Sequence, residues 1–552
     1  MTRDPRVSSR WFFGPASDLL LGCGLVYVPF FVWQVFDGPG LREWLPLTLL
    51  PVVTLLLGSP HYGATLLRVY SRSEDRRRYA IFAVWATAAL FALFVLGLHV
   101  LAVGSLLVTL YFTWSPWHYS GQNYGLAVLF LRRRGIAVKA LTKRFLYGSF
   151  ILSYVLILLM LHTAGPVVQA APASLEGTAY SFLSLGIPRD VRAVVAPIVL
   201  AAYLACLAGA GWSLRRAAFR DLLPTAALVG LQLLWFGAPA AAAIWRAGWG
   251  IDPLNPAQRP YAFMWIAVGH FVQYLWITTY YAAASGGVAG RSNYLLKALV
   301  AGVALWTLPV LLFGPTLLGR LPYDLGLALL MASVVNLHHF ILDGAIWKLR
   351  DGRVARALLR PVDAPAPGGD GATASTSRVW ITHAAWAMGL LVLFLALFIR
   401  YEHWAGNRAA EVGDMARVQA AIRRTESFGR VTPSVHERVA RLAIGRGDYL
   451  AARRELEIAR EIYPTVPGWI IWAALHEATG DIGAAAQGYE EALQLDGDNV
   501  AALAGSAGML LRLGQEELAF QRLERAEALS PNNRRVRILL QSHPRGTEAA
   551  GE

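Results

Sequence analysis

Long apolar runs recur between residues 17 and 399, and they constrain the fold more than any other feature of the sequence. A helix needs about 20 apolar residues to cross the hydrocarbon core of a bilayer, where its backbone must satisfy its own hydrogen bonds. We therefore predict an all-α chain that begins with a polytopic membrane helix bundle of about 11 spans. The predicted spans are residues 17–36, 45–69, 80–98, 101–130, 144–162, 191–212, 222–244, 261–284, 294–317, 324–347 and 379–399.

The composition argues against an ordinary soluble protein. Hydrophobic residues make up 56% of the chain and charged residues only 16%, whereas soluble domains carry about 25% charged residues. The formal charge of +14 does not indicate nucleic acid, because the basic residues cluster in short loops between apolar runs. Both cysteines, Cys23 and Cys206, lie inside apolar runs, so they indicate neither a disulfide framework nor a thiolate metal site.

The basic loops alternate along the chain and predict its orientation. Arginine and lysine concentrate at 71–79, 131–143, 215–220 and 348–360, while the loops between these segments carry few basic residues. The positive-inside rule assigns the basic loops to the cytoplasm. We predict a multi-pass protein of the bacterial inner membrane with a cytoplasmic N-terminus. An odd number of spans then places the chain beyond residue 399 in the periplasm.

Four segments follow from these patterns. Residues 1–360 form the predicted polytopic membrane domain, and residues 361–378, rich in Pro, Ala and Gly, form a flexible cytoplasmic linker. Residues 379–399 form the last membrane helix. Residues 408–540 are predicted to form a soluble extracytoplasmic domain, because the chain there becomes polar and repetitive.

A repeat defines this last domain. Gly447-Asp448, Gly480-Asp481 and Gly514-Gln515 recur at spacings of 33 and 34 residues. A period near 34 with a small residue at the tight turn resembles the tetratricopeptide repeat (TPR). Such repeats stack helix pairs into an α-solenoid and bury faces that a single repeat could not bury alone. The resemblance implies a module that binds a protein or peptide partner, and no chemistry of its own.

Histidines inside four of the apolar runs are the candidate site residues. Charged and polar groups at membrane depth are costly and usually serve a function. Each run also carries a polar side chain three or four positions after a histidine, which places the two on one helix face. The predicted metal ligands are His61, His118, His270, His338 and His339. The predicted orienting partners of these ligands are Gln122, Gln273 and Asp343.

These residue types favour a metal site, and several alternatives stay open. Imidazole suits iron, zinc and copper, and a carboxylate or amide orients such ligands from behind. We predict non-haem iron. A bis-histidine haem, or a metal-free structural or proton-relay network, would also use buried histidines. The sequence assigns no catalytic residue, and it leaves open which of the neighbours His338 and His339 faces the site.

One resemblance bears on the reaction. The segments His61…Thr65…Arg68, Trp117-His118…Gln122…Tyr124-Gly125 and His338-His339…Asp343…Trp347 are similar to those of bacterial multi-pass membrane proteins with scattered intramembrane histidines. More distantly, the layout resembles the Brp/Blh family of membrane β-carotene dioxygenases. The resemblance covers about residues 15–350 and excludes the last helix and the repeats. It implies non-haem iron, O2 and a lipid-like substrate that enters from the bilayer, with the single histidines as ligands.

The leading functional hypothesis is therefore a membrane metal-dependent oxidoreductase or oxygenase that acts on a lipid or isoprenoid. A membrane glycosyltransferase with an outer TPR domain is the alternative enzyme class. It would need acidic residues in the first outer loop, which offers only Asp37 and Glu43. A non-enzymatic scaffold or transporter that presents the repeats is the third possibility, and it predicts no bound metal.

Overall fold

The structure is a computed structural model that describes residues 10–36, 50–71, 73–163, 178–245, 259–285, 291–315, 317–348, 352–359, 376–430, 432–531 and 533–543. Most of the described chain is helical, and the only β-type pairing among the described residues is an isolated bridge between Thr163 and Ile187. The predicted all-α class is confirmed. Most of the predicted linker 361–378 lies outside the described residues.

Contacts divide the chain into two compact units, of which the first comprises Met1–Val310 and Ala328–Arg400. Apolar residues dominate most of its helices and lie on both their buried and their exposed faces. The helices up to residue 412 are α1 (Pro15–Gly22), α2 (Tyr27–Phe36), α3 (Leu50–Val53, Thr54–Gly58 and Ser59–Tyr70, continuous), α4 (Ser73–Arg78), α5 (Ile81–His99), α6 (Leu101–Arg133), α7 (Ala140–Leu161), α8 (Arg189–Leu214), α9 (Phe219–Gln232, Leu233–Gly237 and Ala238–Trp245, continuous), α10 (Arg259–Ala284), α11 (Arg291–Leu312), α12 (Tyr323–Ile346), α13 (Gly352–Leu359) and α14 (Thr376–Val412).

Seven helices among the described residues are long and apolar enough to cross a membrane. The count becomes eight if α1 and α2, which meet at an angle of 52°, form one broken span. Helices α6 and α10 are not among the seven, because their polar and aromatic side chains lower the mean hydropathy. These two helices carry His118 and His270. The polar residues that suggest a site therefore also weaken the apolar signal of the helices that carry them.

Helix α6 lies at the centre of the first unit. It packs against α5, α7, α9 and α12. Helix α10 packs against α1, α2 and α3, and α12 contacts α3 as well as α5 and α6. The packing brings α3, α6, α10 and α12 around a common interior, where His61, His118, His270 and His339 lie.

A close helix crossing holds α3 in place. A Cβ atom on Gly63 would lie 1.8 Å from the carbonyl oxygen of Ala298, and one on Gly302 would lie 1.7 Å from the carbonyl oxygen of Ser59. Both distances are far shorter than any non-bonded contact, so only glycine permits this approach of α3 to α11. Small residues at such crossings are the usual way in which apolar helices pack closely. The crossing sits directly beside His61.

The second unit comprises Leu311–Leu327 and Tyr401–Glu552. Beyond α14 it is built from successive antiparallel helix pairs with short connections, in which each helix packs on its sequence neighbour. Its helices are α15 (Met415–Glu426), α16 (Pro433–Gly445), α17 (Tyr449–Ile462), α18 (Val466–Thr479), α19 (Ile482–Leu495), α20 (Val500–Arg512), α21 (Glu516–Leu529) and α22 (Arg534–Ser542).

The recurring Gly-Asp pairs mark helix starts in this unit. Gly447 and Gly480 adopt the left-handed conformation, with φ of 74° and 82°. The carboxylate of the aspartate that follows accepts a hydrogen bond from the backbone N–H three residues on, at 3.1 Å for Asp448 and 3.0 Å for Asp481. Glycine relieves the strain of the turn, and aspartate caps the next helix. The same pair occurs earlier at Gly413-Asp414, where the Asp414 carboxylate accepts from the Arg417 N–H at 3.0 Å.

Candidate metal centre

Of the adjacent pair on α12, His339 faces the interior of the bundle and His338 does not. The Nε2 atom of His339 lies 2.7 Å from Nε2 of His61. The Nε2 atom of His338 instead lies 2.9 Å from the Thr87 hydroxyl on α5 and 3.5 Å from the Tyr70 hydroxyl. Neighbours on a helix point about 100° apart, so only one of them can face a given partner.

Four imidazoles from four helices meet in this interior. The ring centroids of His61 and His339 are 4.2 Å apart, and those of His61 and His270 are 4.7 Å apart. His118 lies 4.9 Å from both His270 and His339. His61, His270 and His339 are at most 2% exposed. We call these four residues the histidine cluster.

Four of the eight ring nitrogens of the histidine cluster are buried and have no hydrogen-bond partner among the described residues. They are Nδ1 of His61, Nε2 of His118 and both nitrogens of His270. A buried polar atom without a partner costs about 1–3 kcal/mol, so several of them in one place call for an explanation. Such nitrogens offer lone pairs to a metal ion, which imidazole binds well.

Two overlapping groups of side chains are close enough together to share a metal ion. One group is His61, His270 and His339, and the other is His118, His339 and Asp343. Within each group the candidate ligand atoms lie within 4.8 Å of one another. Both groups contain His339, so they form one continuous site rather than two separate ones.

Asp343 lies closer to the cluster than an orienting partner would need to be. Its Oδ2 atom is 3.5 Å from Nε2 of His339 and 3.9 Å from Nε2 of His118. Its Oδ1 atom accepts a hydrogen bond of 2.7 Å from the Tyr274 hydroxyl. The sequence predicts that Asp343 orients a ligand. In the structure, one of its carboxylate oxygens lies among the candidate ligand atoms themselves.

Gln122 and Gln273 do not contact the imidazole nitrogens. The amide of Gln122 donates to the Gln273 side-chain oxygen at 3.1 Å and to the His270 carbonyl oxygen at 3.3 Å. Their effect on His270 therefore runs through the backbone of α10 and the packing of α6 against it. Among the described residues, neither Gln122 nor Gln273 makes a hydrogen bond to an imidazole ring nitrogen. Their predicted role as orienting partners of the rings therefore has no direct contact to support it.

The structure adds aromatic and hydroxyl groups around the cluster. Phe340 stacks on His118 with centroids 4.4 Å apart. The Tyr62 hydroxyl donates to the Asn336 side-chain oxygen at 2.8 Å. Asn336 precedes His339 by three positions, which places both residues on one helix face. This spacing is visible in the sequence and could have identified Asn336 as a neighbour of the site. Asp18, a further carboxylate in the apolar region, instead accepts hydrogen bonds from the Phe12 and Phe13 backbones and from the Trp276 indole.

The arrangement is suited to a compact ion rather than to a haem. A bis-histidine haem needs a porphyrin between two imidazoles, and the cluster rings pack directly on one another. Imidazole and carboxylate groups are donors that iron and other divalent metal ions can take. No protein-family model matches this sequence, and no curated protein is significantly similar to it.

Proposed function

We propose that this protein is an integral membrane, metal-dependent oxidoreductase that uses non-haem iron. The observation that carries the proposal is the convergence of four imidazoles, in which four of the eight ring nitrogens lack a hydrogen-bond partner among the described residues. His61, His118, His270 and His339 would hold the ion. Iron, when bound, supplies redox chemistry with O2, and the protein supplies position and exclusion of water.

A lipid or isoprenoid is the proposed substrate class. The cluster lies among apolar helices, so an apolar substrate would reach it from the bilayer without crossing water. His118 is the most exposed member, with 11% of its side chain accessible. On the same helix, Trp114 and Trp117 are 37% and 38% exposed. This arrangement supports entry of the substrate past His118.

The second unit is proposed to be a TPR-type module that binds a protein partner. The capped helix starts at Asp448 and Asp481 and the successive helix pairs support this assignment. About 11 membrane spans, a bacterial inner-membrane location and a periplasmic position of the module remain part of the proposal. They rest on the apolar runs and on the alternation of basic loops.

Metal analysis of the purified full-length protein tests the proposal. We expect iron at close to one equivalent per chain, and a loss of most of it on replacing His61, His118, His270 or His339 by alanine. His338→Ala is the matched control, since His338 is buried on the same helix and bonds to Thr87 rather than to the cluster. A metal-free wild-type protein that takes up no iron, zinc or copper would refute the proposal. Equal loss in the His338→Ala variant would show that folding, rather than ligation, explains the result.

A further inference from the structure

We infer that Asp343 is a metal ligand through Oδ2, and that Thr65 and Tyr274 are positioning residues that hold Asp343 and fix the protonation pattern of His339. The inference rests on the proposed metal function and deepens it. Asp343 then binds the metal directly instead of orienting another ligand, and the Thr65 and Tyr274 hydroxyl groups hold it in position.

The two oxygens of Asp343 have different surroundings. Oδ1 accepts from the Tyr274 hydroxyl at 2.7 Å and lies 3.4 Å from the Thr65 hydroxyl. Oδ2 faces the Nε2 atoms of His118 and His339. No lysine or arginine pairs with Asp343 among the described residues. A buried carboxylate without a cation is costly, and a metal ion bound at Oδ2 would compensate its charge.

Counting hydrogens along the contacts fixes their direction. The Tyr274 hydroxyl has one hydrogen, which it donates to the Asp343 carboxylate. The Thr65 hydroxyl lies 2.6 Å from the Tyr274 oxygen and 3.4 Å from Oδ1 of Asp343, so we assign its single hydrogen to the shorter of these two contacts, the one to Tyr274. The Thr65 oxygen also lies 2.9 Å from Nδ1 of His339, and with its own hydrogen committed it can only accept there.

His339 is therefore held with its hydrogen on Nδ1. Its Nε2 atom keeps a lone pair directed at the cluster, which is the form that binds a metal. The Trp347 indole donates to the Tyr274 oxygen at 3.2 Å, which helps to keep the Tyr274 hydrogen directed at Asp343. The hydroxyl pair thus links the carboxylate and one imidazole so that both present acceptor atoms to the same ion.

The ligand set that results contains two histidines and one carboxylate in His118, His339 and Asp343. This combination is characteristic of non-haem Fe(II) centres that react with O2. His61 and His270 complete the site from the other side. The set therefore favours iron over Cu(I), which prefers softer ligands.

Cobalt(II) titration of the full-length metal-free protein, followed by visible absorption, tests the inference. Removal of an outer partner of a metal ligand typically lowers metal affinity about 10- to 100-fold. We expect a loss of this size in Thr65→Val and in Tyr274→Phe, and a larger one in Asp343→Asn. Thr65→Ser keeps the hydroxyl and should bind cobalt as the wild type does.

A second measurement separates positioning from general damage. The 15N chemical shifts of labelled histidine in the metal-free protein distinguish the two neutral imidazole forms. His339, assigned by its loss in His339→Gln, should carry its hydrogen on Nδ1 in the wild type and in Thr65→Ser, and should lose this preference in Thr65→Val. Wild-type cobalt binding that persists unchanged in Thr65→Val, Tyr274→Phe and Asp343→Asn would overturn the inference while leaving the metal site intact. A wild-type protein that binds no cobalt would instead defeat the proposed function.

Discussion

Two buried histidine environments in this protein differ in what surrounds the ring. In the second unit, Nδ1 of His436 lies 2.7 Å from Glu455 and Nε2 lies 2.9 Å from Glu426. In the first unit, His270 is equally buried, yet neither of its nitrogens has a partner among the described residues. His436 lies among three helices that follow one another in the chain, whereas His270 lies among helices that are far apart in the sequence. Only His436 has the partners that a structural histidine needs.

Hydrogen-bond partners distinguish a structural histidine from a candidate metal ligand. His436 ties α15, α16 and α17 together through two carboxylates, and nothing about it calls for a ligand. Members of the histidine cluster face other imidazoles, and four of their ring nitrogens have no hydrogen-bond partner among the described residues. Burial alone does not indicate a metal site, whereas several unpartnered imidazole nitrogens close together favour one.

The largest expected effect is that of His270→Phe on the stability gained from metal binding. In the metal-free protein, His270→Phe removes two unpaired polar atoms and should leave thermal stability unchanged or raise it. In the presence of metal at 1,000 times its dissociation constant, the wild type should gain about 4 kcal/mol from binding, and the variant should gain much less. Thermal unfolding in detergent, with and without a chelator, measures both. A destabilised metal-free variant would show that His270 is a satisfied structural residue like His436.

A smaller effect concerns the pH dependence of the second unit. Burial lowers the pKa of His436, but the hydrogen bonds and charges of Glu426 and Glu455 outweigh it and raise the pKa to about 9. An unfolded histidine has a pKa of about 6.5. Because the folded pKa is the higher one, the stabilisation is complete below pH 6.5 and is lost as the pH rises through 9.

His436→Gln tests this expectation. At pH 6 the wild type should be more stable than the variant by about 3 kcal/mol, and most of that difference should vanish by pH 10. Denaturant unfolding at each pH measures this difference in stability. Unfolding of the second unit can be followed through the fluorescence of Trp469 and Trp472. A difference that stays constant between pH 6 and pH 10 would mean that His436 stabilises by packing and not by charge.

The smallest effect concerns His338, an intermediate case with hydroxyl partners only. Thr87→Val removes the hydroxyl 2.9 Å from Nε2 of His338 and should cost about 1 kcal/mol, the usual value of a single hydrogen bond. Metal content should not change, because His338 faces away from the cluster. Loss of metal in this variant would contradict the distinction between His338 and His339. Thr87→Ser serves as the control that retains the hydroxyl.

Much of the architecture is predictable because it depends on local periodicity. Long apolar runs predict helices wherever they occur, and the repeated Gly-Asp pairs predict the helix starts at Asp448 and Asp481, since capping involves residues only three positions apart. The number of membrane spans is harder to predict, because α6 and α10 combine apolar and polar residues. Seven apolar helices, or eight with the bent pair, are evident in the described chain, and the larger predicted number remains a prediction.

The candidate site also has features that local sequence predicts and features that depend on tertiary packing. The sequence by itself determined which helices carry buried histidines, because a histidine in an apolar run is visible without any structure. Tertiary structure alone decided that His339 rather than His338 enters the cluster, since helix rotation depends on the packing of α12 against α3, α5 and α6. It also decided that Gln122 and Gln273 bond to each other, and that Asp343 turns one oxygen to Tyr274 and the other to the imidazoles. These contacts join residues far apart in the chain, and local sequence spacing carries no information about them.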